Sequence, residues 1–351
     1  MAAKQAVSLL AFAFSIIITV WCNVVDSRHL PSSATTMSQK HAEWMAKFGR
    51  VYTSEIEKQM RLEIFAKNAK FVDEFNAAAG NNKRFTVSIN NHFADHTQEE
   101  IKQRYYGYNY NASLLQDPKF ETSFKYENAN NIPQSMDWRE KGVLTPIKNQ
   151  SPHGSKCGSC WAFASISTIE SVNKLKTGEL VSLSEQELLD CTDNNGGCGG
   201  GYPEYAFEYV QQHGVAAEQS YPYLAQTSTC NTKRVDSLGI VRISGFEQVP
   251  YAEGEEGLLK AVANQPAVAS VKVGKEFQFY DGGIFDGGCG ATLNHVVVVV
   301  GYGVADDGTK YWILRNSWGE EWGESGYMRV QRDTGNGGVC GVGTDVSYPI
   351  A

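Results

Sequence analysis

The 351-residue sequence predicts an α+β protein in which a helical subdomain precedes a β-rich one. Between residues 161 and 214, apolar residues recur at helical spacing and glycines end the helical segments. After about Gly239, short apolar segments alternate with glycine-containing turns such as Asp307-Gly308, which is typical of strands. Two adjoining subdomains of different structure predict a cleft between them as the place of a functional site.

An apolar leader begins the chain. Lys4 precedes a stretch of about fifteen mostly apolar residues from Ala6 to Val20, which Asn23 and Asp26 end. A membrane-spanning helix needs about 20 apolar residues, so we assign residues 1–27 to a signal peptide. We therefore expect entry into the secretory pathway, with a vacuole, a lysosome or the exterior as the destination.

A second helical segment covers residues 41–76. Six residues spaced by four or three positions share one face of this helix: Glu57, Arg61, Phe65, Asn68, Val72 and Asn76. Glu57 and Arg61 are spaced as an i,i+4 ion pair. A β-like stretch, 85–89, follows. Residues 107–131 have no helical period, and an exposed linker of this kind favours proteolytic cleavage.

The later elements follow from local signals. Helices are predicted over Trp161–Lys176, from a Ser184 capping box through Leu189, and over Tyr202–Gln212. Strands are predicted at 241–243, 267–273, 296–300, 311–314 and 327–330.

Composition excludes several partners. The chain is 42% hydrophobic and 20% charged, as globular proteins are, and its formal net charge is −8. This negative charge argues against nucleic acid or an anionic membrane as the main partner. We predict a monomer that needs no metal or organic cofactor.

Seven of the eight cysteines follow the leader, and seven is odd. In an exported protein three disulfides then leave one thiol free. Cys160 is the best candidate, since it stands at the start of a predicted helix, where the helix dipole favours the thiolate.

A thiolate nucleophile needs an imidazole, a group that orients it and donors for an oxyanion. His295 heads an apolar run that reads as a buried strand, and Asn316 follows the next strand. Trp318 is placed to shield a His295–Asn316 hydrogen bond from water. A lone histidine on an apolar strand is usually structural, so the case for His295 depends on Cys160 and Asn316.

These residues resemble the papain-like cysteine proteases, in the same order. The matching segments are Gln150, Cys157-Gly158-Ser159-Cys160-Trp161, Asn294-His295 and Asn316-Ser317-Trp318-Gly319. The shared face of the 41–76 helix resembles the family's inhibitory propeptide helix, with Val72 in place of the usual isoleucine. Asn91, Phe93 and Asp95 match most of the second propeptide motif, although Ile89 stands where its glycine is expected.

The resemblance implies a papain-like two-subdomain fold: a helical left subdomain against an antiparallel, barrel-like right subdomain, preceded by a helical propeptide. It implies a propeptide over residues 28–130 and a mature peptidase over 131–351. The propeptide would cross the cleft in reverse direction until acid loosens it, with Asp95 and nearby carboxylates as proton sensors.

The resemblance also implies residue roles. Cys160 is the nucleophile, His295 its ion-pair partner, and Asn316 the orienting residue. The Gln150 side chain and the Cys160 amide form the oxyanion hole. The implied disulfides are Cys157–Cys198, Cys191–Cys230 and Cys289–Cys340. Polypeptide substrates, the chain's own propeptide and cystatin-type inhibitors are the expected partners.

By the same resemblance, Gly200 and Gly201 pair with an extended substrate. The pocket for the second residue before the cut (P2) would be formed by Tyr202, Pro203, Ser270, Leu293, Val296 and Asp345. Asn294 and Trp318 are also assigned to substrate binding. This pocket predicts a hydrophobic preference at P2. Asp345 at its floor adds tolerance of arginine, unless its side chain turns outward to solvent.

The chain departs from the family beside the nucleophile. Gln150 lies ten residues before Cys160, four more than usual. Loops absorb insertions at small entropic cost, so the insertion either bulges outward and leaves Gln150 in place or displaces it and weakens turnover. The alternative function is therefore a storage, defence or binding protein with weakened catalysis.

Two other interpretations of the cysteines are weaker. Cys157 and Cys160 have the spacing of a redox pair, but a tryptophan follows the motif instead of preceding it. A zinc site lacks a second closely spaced pair. Two glycosylation sequons are present, and we expect a glycan on Asn111 in the linker and none on Asn149 beside the catalytic loop.

Overall fold

The computed structural model describes residues 35–78, 84–109, 111, 123–231, 240–335 and 337–351. The predicted signal peptide, and residues 110 and 112–122 of the predicted linker, lie outside these residues. Within them, no helix is long and apolar enough to cross a membrane.

Eight helices occur in the described residues: α1 Met37–Lys47, α2 Glu55–Ala78, α3 Gln98–Tyr105, α4 Cys160–Thr177, α5 Glu185–Cys191, α6 Pro203–His213, α7 Gly254–Val262 and α8 Lys275–Gln278. The predicted 41–76 segment is two helices with a break between them. Gly178 ends α4 in the left-handed region, as its sequence predicts. Ser184 caps α5 through the Glu187 amide, but the Glu187 carboxylate binds the Ala216 amide.

Eleven strands are present in the same residues: β1 Phe85–Val87, β2 Met136–Asp137, β3 Val215–Ala216, β4 Ile240–Val241, β5 Gly245–Gln248, β6 Ala267–Val271, β7 Tyr280–Phe285, β8 His295–Val304, β9 Lys310–Arg315, β10 Tyr327–Gln331 and β11 Val346–Ile350. One sheet has the order β1-β7-β10-β9-β8-β6-β11-β5, and β2 pairs with β8. The β7–β10 pair is parallel and the other pairs of this sheet are antiparallel, so the predicted fully antiparallel subdomain is corrected at that one edge. The mixed α+β class and the two subdomains are confirmed.

The α1–α2 unit is built on the helix face that the sequence predicts. Phe65, Asn68 and Val72 are buried, and the Asn68 amide donates to the carbonyls of Ala94 and His96. The predicted Glu57–Arg61 ion pair is wrong: Arg61 binds Glu100 at 2.8 Å across the unit.

The N-terminal region also extends the sheet of the β-rich subdomain. Strand β1 pairs antiparallel with β7, so a segment of the N-terminal region adds a strand to the β-rich subdomain. Phe93 packs edge-on against Trp318, with ring centroids 4.9 Å apart. The N-terminal segment is thereby fixed directly above the predicted site.

Candidate active site

Cys160 and His295 lie at the ends of two elements that pack against each other. Cys160 is the first residue of α4, and His295 is the first residue of β8. Both side chains are fully buried. The amide of Val296, directly after His295, donates to the Cys160 sulfur. The fold therefore brings the thiol to the imidazole's end of β8.

Asn316 fixes the proton position on the imidazole. Its Oδ1 accepts from the Ser317 amide and lies 2.8 Å from His295 Nε2. Because this oxygen is an acceptor, Nε2 carries the proton and Nδ1 keeps the lone pair. Trp318 covers the ring, with centroids 4.6 Å apart. The arrangement leaves Nδ1 as the atom able to take a proton from a thiol.

Gln150 is buried beside the thiol despite the insertion. Its backbone amide donates to the Ser317 carbonyl at 2.9 Å, and its Oε1 accepts from Ser317 Oγ at 2.7 Å. Nε2 donates to the Cys157 carbonyl and to the Tyr105 carbonyl, each at 3.1 Å. The extra residues form a short 3₁₀ turn over Pro152–Gly154, outside these bonds. Thus an amide donor of Gln150 faces the cleft.

Three disulfides hold this region: Cys157–Cys198, Cys191–Cys230 and Cys289–Cys340. They are the pairs that the resemblance implies. Cys160 is the one free cysteine among the described residues. Cys157 therefore has a structural bond and is not available as a redox partner of Cys160.

The segment after α3 occupies the cleft. The Tyr105 carbonyl accepts a hydrogen bond from Gln150 Nε2. Two residues further on, the Gly107 amide donates to the Cys160 sulfur. The Gly107 carbonyl accepts from the Gly201 amide at 2.9 Å. A Cβ on Gly107 would lie 1.8 Å from the Gly158 oxygen, so only glycine fits there.

Asp345 points inward and is buried. Its Oδ2 accepts from Ser270 Oγ at 2.6 Å and from the Tyr108 hydroxyl at 2.5 Å. The Tyr108 ring packs edge-on against Tyr202 at 5.4 Å, and its amide donates to the Asn294 carbonyl. The pocket predicted around Asp345 is therefore filled by a tyrosine of the N-terminal segment.

The other predicted pocket residues are distributed around this contact. Leu293 and Asn294 line a cavity with Tyr108. A Cβ on Gly200 would lie 2.9 Å from the Gly107 oxygen, so the backbones approach closely. Pro203 and Val296 are buried next to Tyr202 and His295 in the chain. Trp318 lies on the imidazole, where the sequence places it as a shield of the His295–Asn316 hydrogen bond.

Comparison with known proteins decides the family. Residues 132–350 match the papain family cysteine protease domain, and residues 41–101 match the cathepsin propeptide inhibitor domain. The chain belongs to the papain family of cysteine proteases. The N-terminal segment that fills its cleft is an inhibitory propeptide, and the structure is that of a proform.

Several relatives of this papain-family proform come from plants. It is 47% identical to Thiol protease SEN102 of Hemerocallis over 300 residues, covering 84% of this chain and 81% of the relative. It is 40% identical to fruit bromelain of Ananas comosus over 343 residues, covering 97% and 93%. The proform of Amb a 11, a ragweed pollen allergen, superposes with a TM-score of 0.79 at 36% identity, covering 90% of this chain and 94% of that one.

Burial under the propeptide changes the ionisation of the papain-family pair. It raises the pKa of the Cys160 thiol to about 11, against the stabilising amides of Val296 and Gly107. It lowers the pKa of His295 to about 4, against the hydrogen bond to Asn316. Both groups are therefore neutral in the proform between these values.

Sequence reasoning missed the residues that support the site. Ser317 orients Gln150, and Tyr105, Gly107 and Tyr108 block the cleft. The available signal is Gly107 among the tyrosines of residues 105–108, although the absence of a helical period assigns Gly107 and Tyr108 to the linker. A single glycine there meets the requirement for a backbone that passes close to another backbone.

Proposed function

We propose that the processed protein is an endopeptidase whose Cys160 thiolate attacks peptide carbonyls. The observation that carries this proposal is the buried cluster of Cys160, His295 and Asn316, with Nε2 bound to Asn316 and Nδ1 left as the proton acceptor. His295 takes the thiol proton and returns it to the leaving amine. The test is turnover of a peptide amide by the acid-processed protein, which a Cys160→Ala variant must lack.

Gln150 supports the electrostatic part of this mechanism. In the proform its Nε2 donates to a propeptide carbonyl, Tyr105 C=O, at 3.1 Å. We assign to this donor, together with the Cys160 amide, the stabilisation of the oxyanion once substrate replaces the propeptide. Because Gln150 is held by Ser317 in spite of the insertion, the alternative of a storage, defence or binding protein is not favoured.

Removal of the propeptide restores the ion pair. Solvent access to the cleft lowers the cost of charging the thiol and the imidazole, and the dipole of α4 then favours the thiolate. The propeptide thus inhibits in two ways: it occupies the cleft, and it keeps both catalytic groups neutral.

The P2 pocket contains two buried carboxyl groups, Asp345 and Glu204. Burial raises the pKa of Asp345, and burial with repulsion from Asp345 raises the pKa of Glu204 to about 7. In the proform, where the propeptide covers this pocket, Glu204 therefore gains its negative charge only near neutral pH. We propose a hydrophobic P2 preference at acid pH and tolerance of arginine that increases toward neutrality.

An Asp345→Asn variant tests this specificity. It keeps the volume and a hydrogen-bonding oxygen but loses the charge, so cleavage of substrates with arginine at P2 should fall about tenfold relative to substrates with leucine at P2. The measurement is kcat/KM for matched peptides with arginine or leucine at P2, from pH 4.5 to 7. An unchanged arginine-to-leucine ratio in the variant would remove Asp345 from the pocket's selectivity.

Acid activation is carried by propeptide histidines. Asp95 is not the proton sensor, since hydrogen bonds from His96 and Tyr52 outweigh the effect of burial and hold its pKa at about 2. Burial lowers the pKa of His92 to about 3, and it lowers the pKa values of His41 and His96. These groups bind protons more readily in the unfolded propeptide.

We therefore expect propeptide stability to be full above pH 6.5 and to be lost as the pH falls below it. Protonation of Asp95 also destabilises the folded propeptide, but only as the pH falls below 3.8. Thermal unfolding of the inactive Cys160→Ala proform between pH 4 and 7 measures this. A propeptide transition that stays constant from pH 6.5 to 4 would rule out the histidines as sensors.

We further propose cleavage near residue 130, which gives a propeptide over 28–130 and a mature enzyme over 131–351. The exposed Asn111 is the proposed glycan site, whereas Asn149 uses its side chain to bind the Ser151 amide. We also propose a secretory route to a vacuole, a lysosome or the exterior. The processed enzyme is proposed to be a monomer that cystatin-type proteins inhibit.

A further inference from the structure

Two propeptide arginines converge on the loop that the insertion creates, Ser151–Lys156. Arg104 of α3 donates from Nη1 to the Gly154 carbonyl at 2.8 Å. Arg50 approaches the same residue: its Nη1 is 2.8 Å from where a Cβ on Gly154 would be, and Arg104 Nη1 is 3.4 Å from that point. The Ser151 hydroxyl adds a 3.4 Å contact to the Arg104 carbonyl. The start and the middle of the loop therefore touch the propeptide.

The local chemistry suits guanidinium groups. A cavity of about 280 Å³ separates the loop from the propeptide, and Arg50, Ser151, Gly154 and the carboxylate-bearing Glu321 line it. Gly154 has φ +75°, and this backbone conformation is part of the turn that ends in the carbonyl bound to Arg104. The mature domain thus binds the Arg104 guanidinium through the Gly154 carbonyl, and the Glu321 carboxylate lines the same cavity as Arg50.

His96 holds Arg104 from the opposite side. Arg104 Nη1 lies 3.2 Å from His96 Nε2, and a guanidinium can only donate. Nε2 therefore carries the lone pair, and the protonated Nδ1 lies 2.7 Å from Asp95 Oδ1. A second proton would place an N–H of His96 against an N–H of Arg104.

The groups that face His96 decide the sign of this effect. Asp95 favours protonation, whereas Arg50 and Arg104 oppose it. His92 and Glu100 also interact electrostatically with His96: a charged His92 opposes protonation of His96, and the Glu100 carboxylate favours it. Because Arg104 is the cation in hydrogen-bond contact with the ring, protonation acts first on the Arg104 contact.

We propose that the inserted loop is an arginine-binding surface through which this proform retains its own propeptide, and that protonation of His96 releases Arg104 from it. The proposal rests on the proposed inhibitory role of the propeptide but does not depend on turnover. The insertion beside Gln150 then helps to keep the proform inactive. This role explains why the insertion projects toward α3 while the Gln150 hydrogen bonds stay intact.

The test uses a matched pair of full-length variants, Gly154→Lys and Gly154→Asp. Both place a side chain at the same positive φ, so their backbone strain is comparable. The readout is the rate at which iodoacetamide alkylates Cys160 in the intact proform, followed by intact mass between pH 4 and 7. Alkylation requires the propeptide to leave the thiol, and intact mass separates the proform from processed protein.

Opposite shifts are expected. At pH 6.5 the lysine variant should be alkylated about tenfold faster than wild type, because it repels Arg50 and Arg104, and the aspartate variant should be alkylated more slowly. Arg104→Ala should accelerate alkylation in wild type and have little further effect in Gly154→Lys. Arg61→Ala, which breaks a pair away from the loop, should have the same effect in both backgrounds.

A His96→Gln variant removes the titrating ring while keeping a polar side chain. The difference in alkylation rate between His96→Gln and wild type should narrow as the pH rises from 4 to 7. The same comparison in the Arg104→Ala background corrects for effects of His96 that do not act through Arg104. The proposal is overturned if the lysine and aspartate variants change the rate in the same direction, or if Arg104→Ala and Gly154→Lys are additive. Failure of the proposed function is distinguishable, because processed wild-type protein would then be alkylated at Cys160 but show no turnover.

Discussion

Replacing His295 by alanine should lower kcat/KM of the processed enzyme by about 10⁴-fold or more. Without the imidazole, Nδ1 is lost as the acceptor of the thiol proton. The measurement is hydrolysis of a peptide amide at pH 6, normalised by alkylation of Cys160 to count accessible sites.

Asn316→Ala is the matched control for this variant. It keeps the imidazole but removes the acceptor of the Nε2 proton, which is 2.8 Å away in the wild type. Its loss should be smaller than that of His295→Ala and should appear in kcat more than in KM. A His295→Ala enzyme within tenfold of wild type would contradict the assignment of the base.

Gln150→Ala should lower kcat by about 10²–10³-fold with little change in KM, because an oxyanion donor acts mainly in the transition state. The variant tests whether the insertion has left the donor in place. Ser317→Ala should give an intermediate loss, since Ser317 Oγ holds the Gln150 amide at 2.7 Å but does not face substrate. A loss below about threefold in Gln150→Ala would show that the loop has moved the donor away from the reacting carbonyl.

Helices α4, α5 and α6 and the buried face of α2 could be predicted from local signals, whereas α3, α7, α8 and the break between α1 and α2 were not predicted. The buried positions of α2, Phe65, Asn68 and Val72, follow from their spacing. Helix α4 begins at Cys160 and ends before Gly178, as periodicity and the glycine stop indicate. These features depend on interactions within a few residues, and such interactions are visible in a sequence.

Strands β5, β7 and β11 could not be predicted in the same way. Strand β7 contains Gly282 and Gly283, which usually argue against a strand, but pairing with β1 of the propeptide makes them tolerable. Strand β11 contains Pro349, which its place beside β5 accommodates. In both cases the deciding partner is distant in sequence, so propensity alone gives the wrong answer.

The position of Gln150 shows the same limit at the site. Its separation from Cys160 left two outcomes open, and the deciding contact comes from Ser317, 167 residues away. Ionisation of Cys160 is a further case. The helix start predicts a thiolate, whereas burial under the propeptide raises the pKa to about 11. Only the structure with the propeptide in the cleft shows that the effect of burial on the Cys160 pKa exceeds the effect of the helix dipole.

The most direct test compares Cys160 labelling with turnover, in the proform and in the acid-processed enzyme. Iodoacetamide incorporation at Cys160 is measured by mass spectrometry, and residual peptide-amide hydrolysis is measured on the same samples. We expect the proform at pH 7 to resist labelling, and the processed enzyme to lose activity in one-to-one proportion to labelling. Activity that survives complete labelling of Cys160, or rapid labelling of a processed protein that never turned over, would contradict the assignment of this chain as a cysteine protease acting through Cys160.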